Sequence, residues 1–319
     1  MKTWFKTASV LAITAVTALT SWSAAAEYPE KPITMIIPLG AGGSHDLNAR
    51  VISSILPSYL GQPVIVKLMP GAGGQTGTAA ASKAAADGYT LLFTHNYIDQ
   101  LQQHVAKLPY DPTKDFVTVA RTNYASPSLI VKTDSKFKTY EDIIAFGKAN
   151  PGKLSFGHSG NWGAFMVPGA MLFSAAGVNP QLIPHKGGGP AMQALLAGDV
   201  DVSMGFNSSI SGQAGQVRPL VSVSSEPVLD GVPTVADKGI GGVANSGTMH
   251  RVVLVNRDVP ADVLAKLRKA FVDMQQDKTY KNLLNKLGEN AAFMSGEDYE
   301  AVRQEQSEKY KAFTASLAK

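Results

Sequence analysis

Four stretches of this chain set out hydrogen-bond donors in the way a small anion requires: IIPLGAGGSHD (36–46), VIVKLMPGAGGQTG (64–77), LSFGHSGNWGA (154–164) and LIPHKGGGPAM (182–192). Each reads as an apolar strand, a glycine-rich turn and the first turn of a helix. Such a turn leaves the leading N–H groups of the helix without backbone partners. It also points the positive end of the helix dipole past the end of the strand, which makes an anion-binding corner. One corner is commonplace. Four, with no evident nucleophile beside them, indicate a molecule that holds a small anion rather than one that transforms it.

In the first corner, after Leu39, Gly42 and Gly43 let the backbone turn closely around a ligand, and Ser44 or His45 begins the helix. Asp46 and Arg50 stand at i and i+4, the spacing of a pair that offsets the dipole and is worth a few tenths of a kcal/mol. His45 is open to three readings: a donor to the ligand, a proton-sensitive contact, or an ordinary N-terminal polar residue. In the second corner Gly73, Gly74 and Gln75 lack the lysine and hydroxyl pair of a Walker A loop. Gly71-x-Gly73-x-x-x-Gly77 is a loose dinucleotide-type match with no acidic ribose partner about 20 residues on. A carboxylate suits the same glycines.

In the third corner Ser159, Gly160 and Asn161 offer donors, and Trp162 offers a flat wall or plain packing. Gly157-His158-Ser159-Gly160-Asn161 does not complete a G-x-S-x-G elbow. The fourth corner carries His185, Lys186, Gly187, Gly188 and Gly189, with Pro190 in the first helical turn. Lys186 is either a charge for the anion or a solvated flank. Two further post-strand turns, Thr94-His95-Asn96 and Phe206-Asn207-Ser208-Ser209, reach the same cleft mouth. Four of the six histidines lie in these turns, yet none has H-x-x-x-H spacing and acids are scarce beside them. Neither a metal nor a cofactor is expected.

Short β-branched runs predict the strands that position the corners: 33–37, 64–67, 90–94, 117–122, 129–132, 154–157, 200–204, 221–224 and 251–255. Helical patterns alternate with them at 47–60, 75–86, 140–149 (capped by Thr139 with Asp142 three residues on), 164–176 and 191–197. This rhythm predicts an α/β architecture with largely parallel sheets. From Pro260 onward the chain reads as helix after helix (261–277, 279–287, 295–317), with no accompanying strand. Those helices are expected to fold back over a sheet formed much earlier. The result is a two-lobed molecule with a discontinuous first lobe: 27–122 and 254–319 form lobe one, and 123–253 lobe two.

Lys2, Lys6, an apolar segment over 8–20 and Ala24-Ala25-Ala26 read as a signal peptide, 1–26, cleaved before Glu27. No later stretch is apolar enough for a membrane span. Removing the two lysines lowers the formal charge from +4 to about +2, which gives no case for nucleic acid. The absence of cysteine excludes disulfides, thiolate metal sites, cysteine nucleophiles and a lipid anchor on cysteine. A soluble periplasmic protein is expected.

The runs YPEKPITMIIPLGAGGSHDLNAR, PGAGGQTGTAAASKAAADGYTLLF, KLPYDPTKDF, KANPGKLSFGHSGN, HKGGGPAMQALLAGDVD and GVPTVADKG resemble the extracytoplasmic solute receptors of tripartite tricarboxylate transporters, the TctC or Bug family. The likeness covers nearly all of residues 27–319, in order. It implies a type II-like, two-lobed periplasmic binding fold with the ligand cleft between the lobes. It also implies a monomer that closes on a di-, tri- or aromatic carboxylate and delivers it to a permease of one large and one small subunit. Such receptors cradle carboxylates with backbone amides, small hydroxyls and water, which here means Gly42, Gly43, Ser44, His45, Gly73, Gly74, Gln75, Ser159, Gly160, Asn161, Gly187 and Gly188.

The chain departs from the family pattern at several of these places. Leu39 replaces an aromatic, Ser44-His45 the usual Gly-Thr, Met166-Val167 a His-Leu pair, and His185 a tyrosine. No aspartate stands near Gly205 or Phe206, which argues against a ligand ammonium. Trp162, Phe165 and Phe206 can take an apolar body. Two other functions stay open on sequence: a secreted serine-type hydrolase using Ser159 or Ser44, and a receptor presenting its ligand to a membrane sensor kinase.

Overall fold

The computed structural model describes residues 27–317; the expected signal peptide, 1–26, lies outside the described residues. Among the described residues, strands β1 (Ile33–Ile37), β2 (Val64–Leu68), β3 (Thr90–His95), β4 (Phe116–Ala125), β5 (Ser128–Lys132), β6 (Ser155–His158), β7 (Gln181–Pro184), β8 (Val202–Gly205), β9 (Val217–Ser222), β10 (Met249–Asn256) and β11 (Met294–Ser295) form two sheets. The first has the order β11-β4-β10-β3-β1-β2, and the second β7-β6-β8-β5-β9. With helices between the strands, this is a two-lobed α/β fold.

The central strands of the first sheet are apolar along their length because both faces are covered. Ile33, Met35, Ile37, Leu91, Phe93 and Val253 share one core with helices Ser44–Ile55, Ala261–Gln276 and Lys278–Lys286. Ile36, Leu92, Val252 and Leu254 point the other way, toward Tyr299 of helix Gly296–Leu317. This is the two-residue alternation of a strand feeding two cores. The last helix is fixed by Arg303, which donates to both carboxylate oxygens of buried Asp99 at 2.8 Å each. The C-terminal helices thus fold back over the early sheet, as expected.

The expectation of largely parallel sheets is corrected to two mixed sheets. β1 runs parallel to β2 and β3, and β6 parallel to β7 and β8, as strand–turn–helix units require. By contrast β10 is antiparallel to β3 and β4, and β5 to β8 and β9. These are strands by which the chain passes between sheets, β5 following β4 after only Ser126 and Pro127. Such a passage needs no helical crossover back into the same sheet. The C-terminal quarter also contains a strand after all: β11 pairs with β4 opposite Arg121 and Ala120. Two residues are too few for alternation to register.

The helix expected over 47–60 starts earlier, at Ser44, and breaks into Ser44–Ile55 and Pro57–Leu60, since Pro57 brings no N–H to continue the ladder. Helix Tyr140–Ala149 carries its expected cap. The Asp142 N–H donates to Thr139 Oγ1 at 3.2 Å, and the Thr139 N–H donates to Asp142 Oδ2 at 2.9 Å.

Candidate functional site

Three of the glycine turns lead into helices that begin without a side-chain cap: Ser44–Ile55 after Gly43, Gln75–Ser82 after Gly74, and Gly188–Ala197 after Gly187. Elsewhere Thr139 and Asp277 cap helix starts with side-chain oxygens. Glycine cannot do so, and at the first and fourth corners the first-turn N–H groups remain for another acceptor. At the second, the Gly74 and Gln75 N–H groups are taken by the Gly71 and Ala72 carbonyls.

The four corners meet in pairs, one member from each lobe. The first faces the fourth. The Gly40 N–H donates to the Lys186 carbonyl at 2.7 Å, and a Cβ on Gly189 would overlap the Ala41 carbonyl oxygen. The second faces the third. Gln102 Nε2 donates to the Gly73 carbonyl at 2.8 Å and reaches that of Asn161 at 3.4 Å, while a Cβ on Gly160 would lie 3.2 Å from Gly73 Cα. Glycine is required here because one backbone presses on another.

Two spaces lie along this seam. A cleft of about 490 Å³ is bordered by Gly73, Gly74, Gln75, Ser159, Gly160, Asn161, Trp162, His185 and Leu39, with Gln102 behind them. Among the described residues on its wall, exposed Lys186 is the only charged side chain. Leu39 and Ser159 also border the second space, a chamber of about 20 Å³ enclosed by Gly43, Ser44, His45, His95, Gly188 and Phe206, with Ala164, Phe165 and Met249.

The remaining candidates stand apart from both walls. Gly42 is exposed, its N–H held by Asp46 Oδ2 at 2.9 Å, and Asp46 pairs with Arg50 at 2.9 Å as the spacing predicts. Gly187 is wedged in the seam against Gly40. Thr94 is buried behind the chamber, where its carbonyl accepts from His45 Nε2 at 3.2 Å. Asn96 is committed to structure: its amide donates to Tyr310 Oη at 2.6 Å and to the Thr248 carbonyl, and its oxygen accepts from the His250 N–H. Asn207 turns away from Phe206, donates to the Val228 carbonyl at 2.6 Å, and borders a different cavity of about 600 Å³ beside Tyr124 and Asn290. Consecutive residues at the start of helix Asn207–Ser211 point in different directions, so Phe206 and Asn207 cannot share a wall.

The chamber's histidines are buried and neutral. Burial, then the neighbouring His95 and Arg251 charge, holds His45 well below its ordinary value. Burial, then Arg251, brings His95 down to about 3. The two rings stand 5.1 Å apart. At the cleft, burial also lowers His185, whose Nε2 is buried without a protein partner. Among the described residues no group of three His, Asp or Glu side chains stands close enough to hold a metal ion.

Two functional neighbours escape a reading of the sequence. Gln102 bridges the second and third corners from an irregular helical stretch after β3 that carries no glycine signal. Arg251 lies beneath the first corner, although no arginine occurs within any of the four glycine stretches. Fully buried in β10, it donates to Glu289 at 2.8 and 2.9 Å, to Asn123 at 3.1 Å and to the Ser44 hydroxyl. Its guanidinium stands 5.4 Å from the Phe206 ring. A charge at the head of an apolar strand signals a hidden partner, but Glu289 lies 38 residues away and cannot be chosen from spacing.

Residues 48–318 match the TctC family, described as the tripartite tricarboxylate transporter family receptor. A UPF0065 protein from the gbd 5' region of Cupriavidus necator is 32% identical over 317 residues, spanning 97% of this chain and 95% of its own. The periplasmic binding protein BugD superposes with a TM-score of 0.86 at 26% identity, covering 91% of this chain and 99% of that one. MatC from Rhodopseudomonas palustris, solved with bound malate, superposes with a TM-score of 0.83 at 26% identity, covering 89% and 99%. On the strength of a match across most of its length and of the glycine corners that the fold brings face to face, this chain belongs to the TctC family of tripartite tricarboxylate transporter receptors.

Proposed function

We propose that this receptor captures a small organic carboxylate in the periplasm, after removal of residues 1–26, and delivers it to a permease of one large and one small subunit. The observation that carries this reading is the pairing of four glycine corners across one seam, three of them opening uncapped helices. Each helix N-terminus favours an anion by roughly 0.3–1 kcal/mol, and by up to about 2 kcal/mol where partly buried. Lys186 adds a positive charge, and among the described residues no acidic side chain borders the cleft. The malate held by MatC supports a carboxylate ligand here.

The contacts assigned are the amides of Gly43, Ser44, Gly73 and Gly188, the side-chain donors of Gln75, Ser159 and Asn161, and the walls of Gly74, Trp162 and Phe206. The lobes are taken as 27–122 with 254–319, and 123–253. Two sheets with no common strand support this division, the limits falling within β4 and β10. No reaction is assigned: among the described residues no histidine nitrogen is hydrogen-bonded to the hydroxyl of Ser44 or Ser159, as a Ser–His pair would require. Isothermal titration of residues 27–319 against mono-, di- and tricarboxylates, aromatic ones included, tests the reading. Heat from at least one class is expected; silence across the panel overturns it.

A further inference from the structure

The chamber beside the cleft has a size and a chemistry of its own. Its volume, about 20 Å³, accommodates one group of the size of water. No acidic or basic side chain borders it apart from the imidazoles, among the described residues. Arg251, just beneath, has both terminal nitrogens committed to Glu289, Asn123 and Ser44. What the chamber presents is unspent imidazole. The Thr94 carbonyl can only accept, so the His45 hydrogen sits on Nε2 and its Nδ1 carries a lone pair. His95 is 2% exposed, and its Nδ1 is buried without any protein partner. A buried nitrogen in that condition is destabilising unless something meets it. The rings are held rigidly, His45 lying 5.3 Å from Phe93 and His95 5.8 Å from Tyr97.

We propose that this chamber is a hydroxyl subsite: the ligand is a hydroxy acid whose carboxylate lies on the glycine-corner amides and whose hydroxyl is hydrogen-bonded by the imidazole pair His45 and His95. The inference rests on the carboxylate reading of the cleft and goes further, because a carboxylate alone leaves the His95 nitrogen unmet. A second carboxylate is a poor occupant, since the His45 Nδ1 lone pair repels it and the His45 N–H is already spent on Thr94. An ammonium is equally poor, for among the described residues no acidic side chain borders either space. A hydroxyl is uncharged, donates to the His45 Nδ1 lone pair, and with its own donor and acceptor meets the His95 nitrogen in either role. The Phe165 and Phe206 rings, 5.2 Å apart, close the chamber on its apolar side.

The test is titration calorimetry of residues 27–319 with matched triplets: lactate, propionate and alanine; 2-hydroxyglutarate, glutarate and glutamate; 3-phenyllactate, 3-phenylpropionate and phenylalanine. Within the skeleton that binds, the hydroxy acid is expected to bind at least tenfold more tightly than both its deoxy and its amino partner, the behaviour of a site built to hydrogen-bond a hydroxyl. In His95→Phe this preference is expected to shrink to within about twofold. Equal affinity of the hydroxy and deoxy acids for the unaltered protein, as when a water fills the chamber, overturns the hydroxyl subsite and leaves the carboxylate reading standing. A preference that survives His95→Phe does the same. Silence from all nine compounds overturns the subsite, while the broader panel of mono-, di- and tricarboxylates decides the carboxylate reading separately. The unaltered protein's own preference keeps the test decisive if His95→Phe does not fold.

Discussion

Ser208 donates to Glu289 across 2.5 Å, joining the helix after β8 in the second lobe to a buried carboxylate packed on the first. The same oxygen accepts from the Ser44 hydroxyl at 3.1 Å and from Arg251 at 2.9 Å, so the start of the first glycine-corner helix belongs to this junction. The lobes therefore meet through the Ser208 hydroxyl, set on a carboxylate that is ion-paired with Arg251, as well as through glycine backbones.

Two substitutions separate the roles of this junction. Glu289→Ala leaves Arg251 buried and uncompensated, at a cost of about 3–5 kcal/mol. At roughly 2–4 °C per kcal/mol, its melting temperature is expected to fall on the order of 10 °C. Ser208→Ala removes the hydroxyl that bonds Glu289 and lies 3.0 Å from Ser44 Oγ, the Glu289 bond being worth about 1.5–3 kcal/mol with its charged acceptor. If that bond forms on closure, carboxylate affinity drops about tenfold or more by calorimetry. An unchanged Kd would mean that the bond is not made on closure.

Gly189→Ala tests the seam directly. The added methyl would strike the Ala41 carbonyl and stand 2.7 Å from the Gly43 nitrogen, backbone atoms that cannot yield cheaply. The collision exists only when the lobes are together. X-ray scattering of the variant with ligand is expected to retain the larger radius of the ligand-free form, with affinity reduced at least a hundredfold. Normal closure would show that the first and fourth corners do not bear on each other during binding.

The four corners were legible because glycine runs after β-branched runs have one economical explanation, and the helices opening at Ser44, Gln75 and Gly188 follow from it. What sequence could not give was which corner faces which, since that depends on pairing between sheets. The mixed sheet order, the turn of Asn207 away from Phe206, and the Arg251–Glu289 pair are all long-range outcomes. Local periodicity carries no information about them. Burial also alters how the histidines are read: a neutral, buried His95 can touch ligand without any response near pH 7.

Gln102 offers a test of how the second and third corners are held together. Its amide spans Gly73 and Asn161, while its Oε1 is buried and unpartnered in the protein. Gln102→Leu keeps the bulk and removes the donor, and so leaves two carbonyls facing one another. Ligand affinity is expected to weaken about tenfold, roughly the 1.4 kcal/mol that one such bond is worth. The melting temperature should change by only a few degrees. Full affinity in this variant would assign the bridge to packing alone.

Acid should destabilise the protein through its buried histidines, and the sign follows from their environment. Burial holds His45 well below its ordinary value and brings His95 to about 3, while burial followed by Arg121 brings His250 to about 4. In the unfolded chain each titrates near 6.5. Between those values the unfolded chain binds the extra protons, so stability is full above about pH 6.5 and declines as pH falls. At pH 5.5 His95 and His250 each cost about 1.4 kcal/mol, before carboxylates begin to protonate, and His45 acts in the same direction. Urea unfolding at pH 7.5, 6.5, 5.5 and 4.5 should therefore show a level region followed by a steep loss. His250→Gln should make that loss shallower, whereas stability constant down to pH 4.5 would mean that these rings are not held neutral by burial.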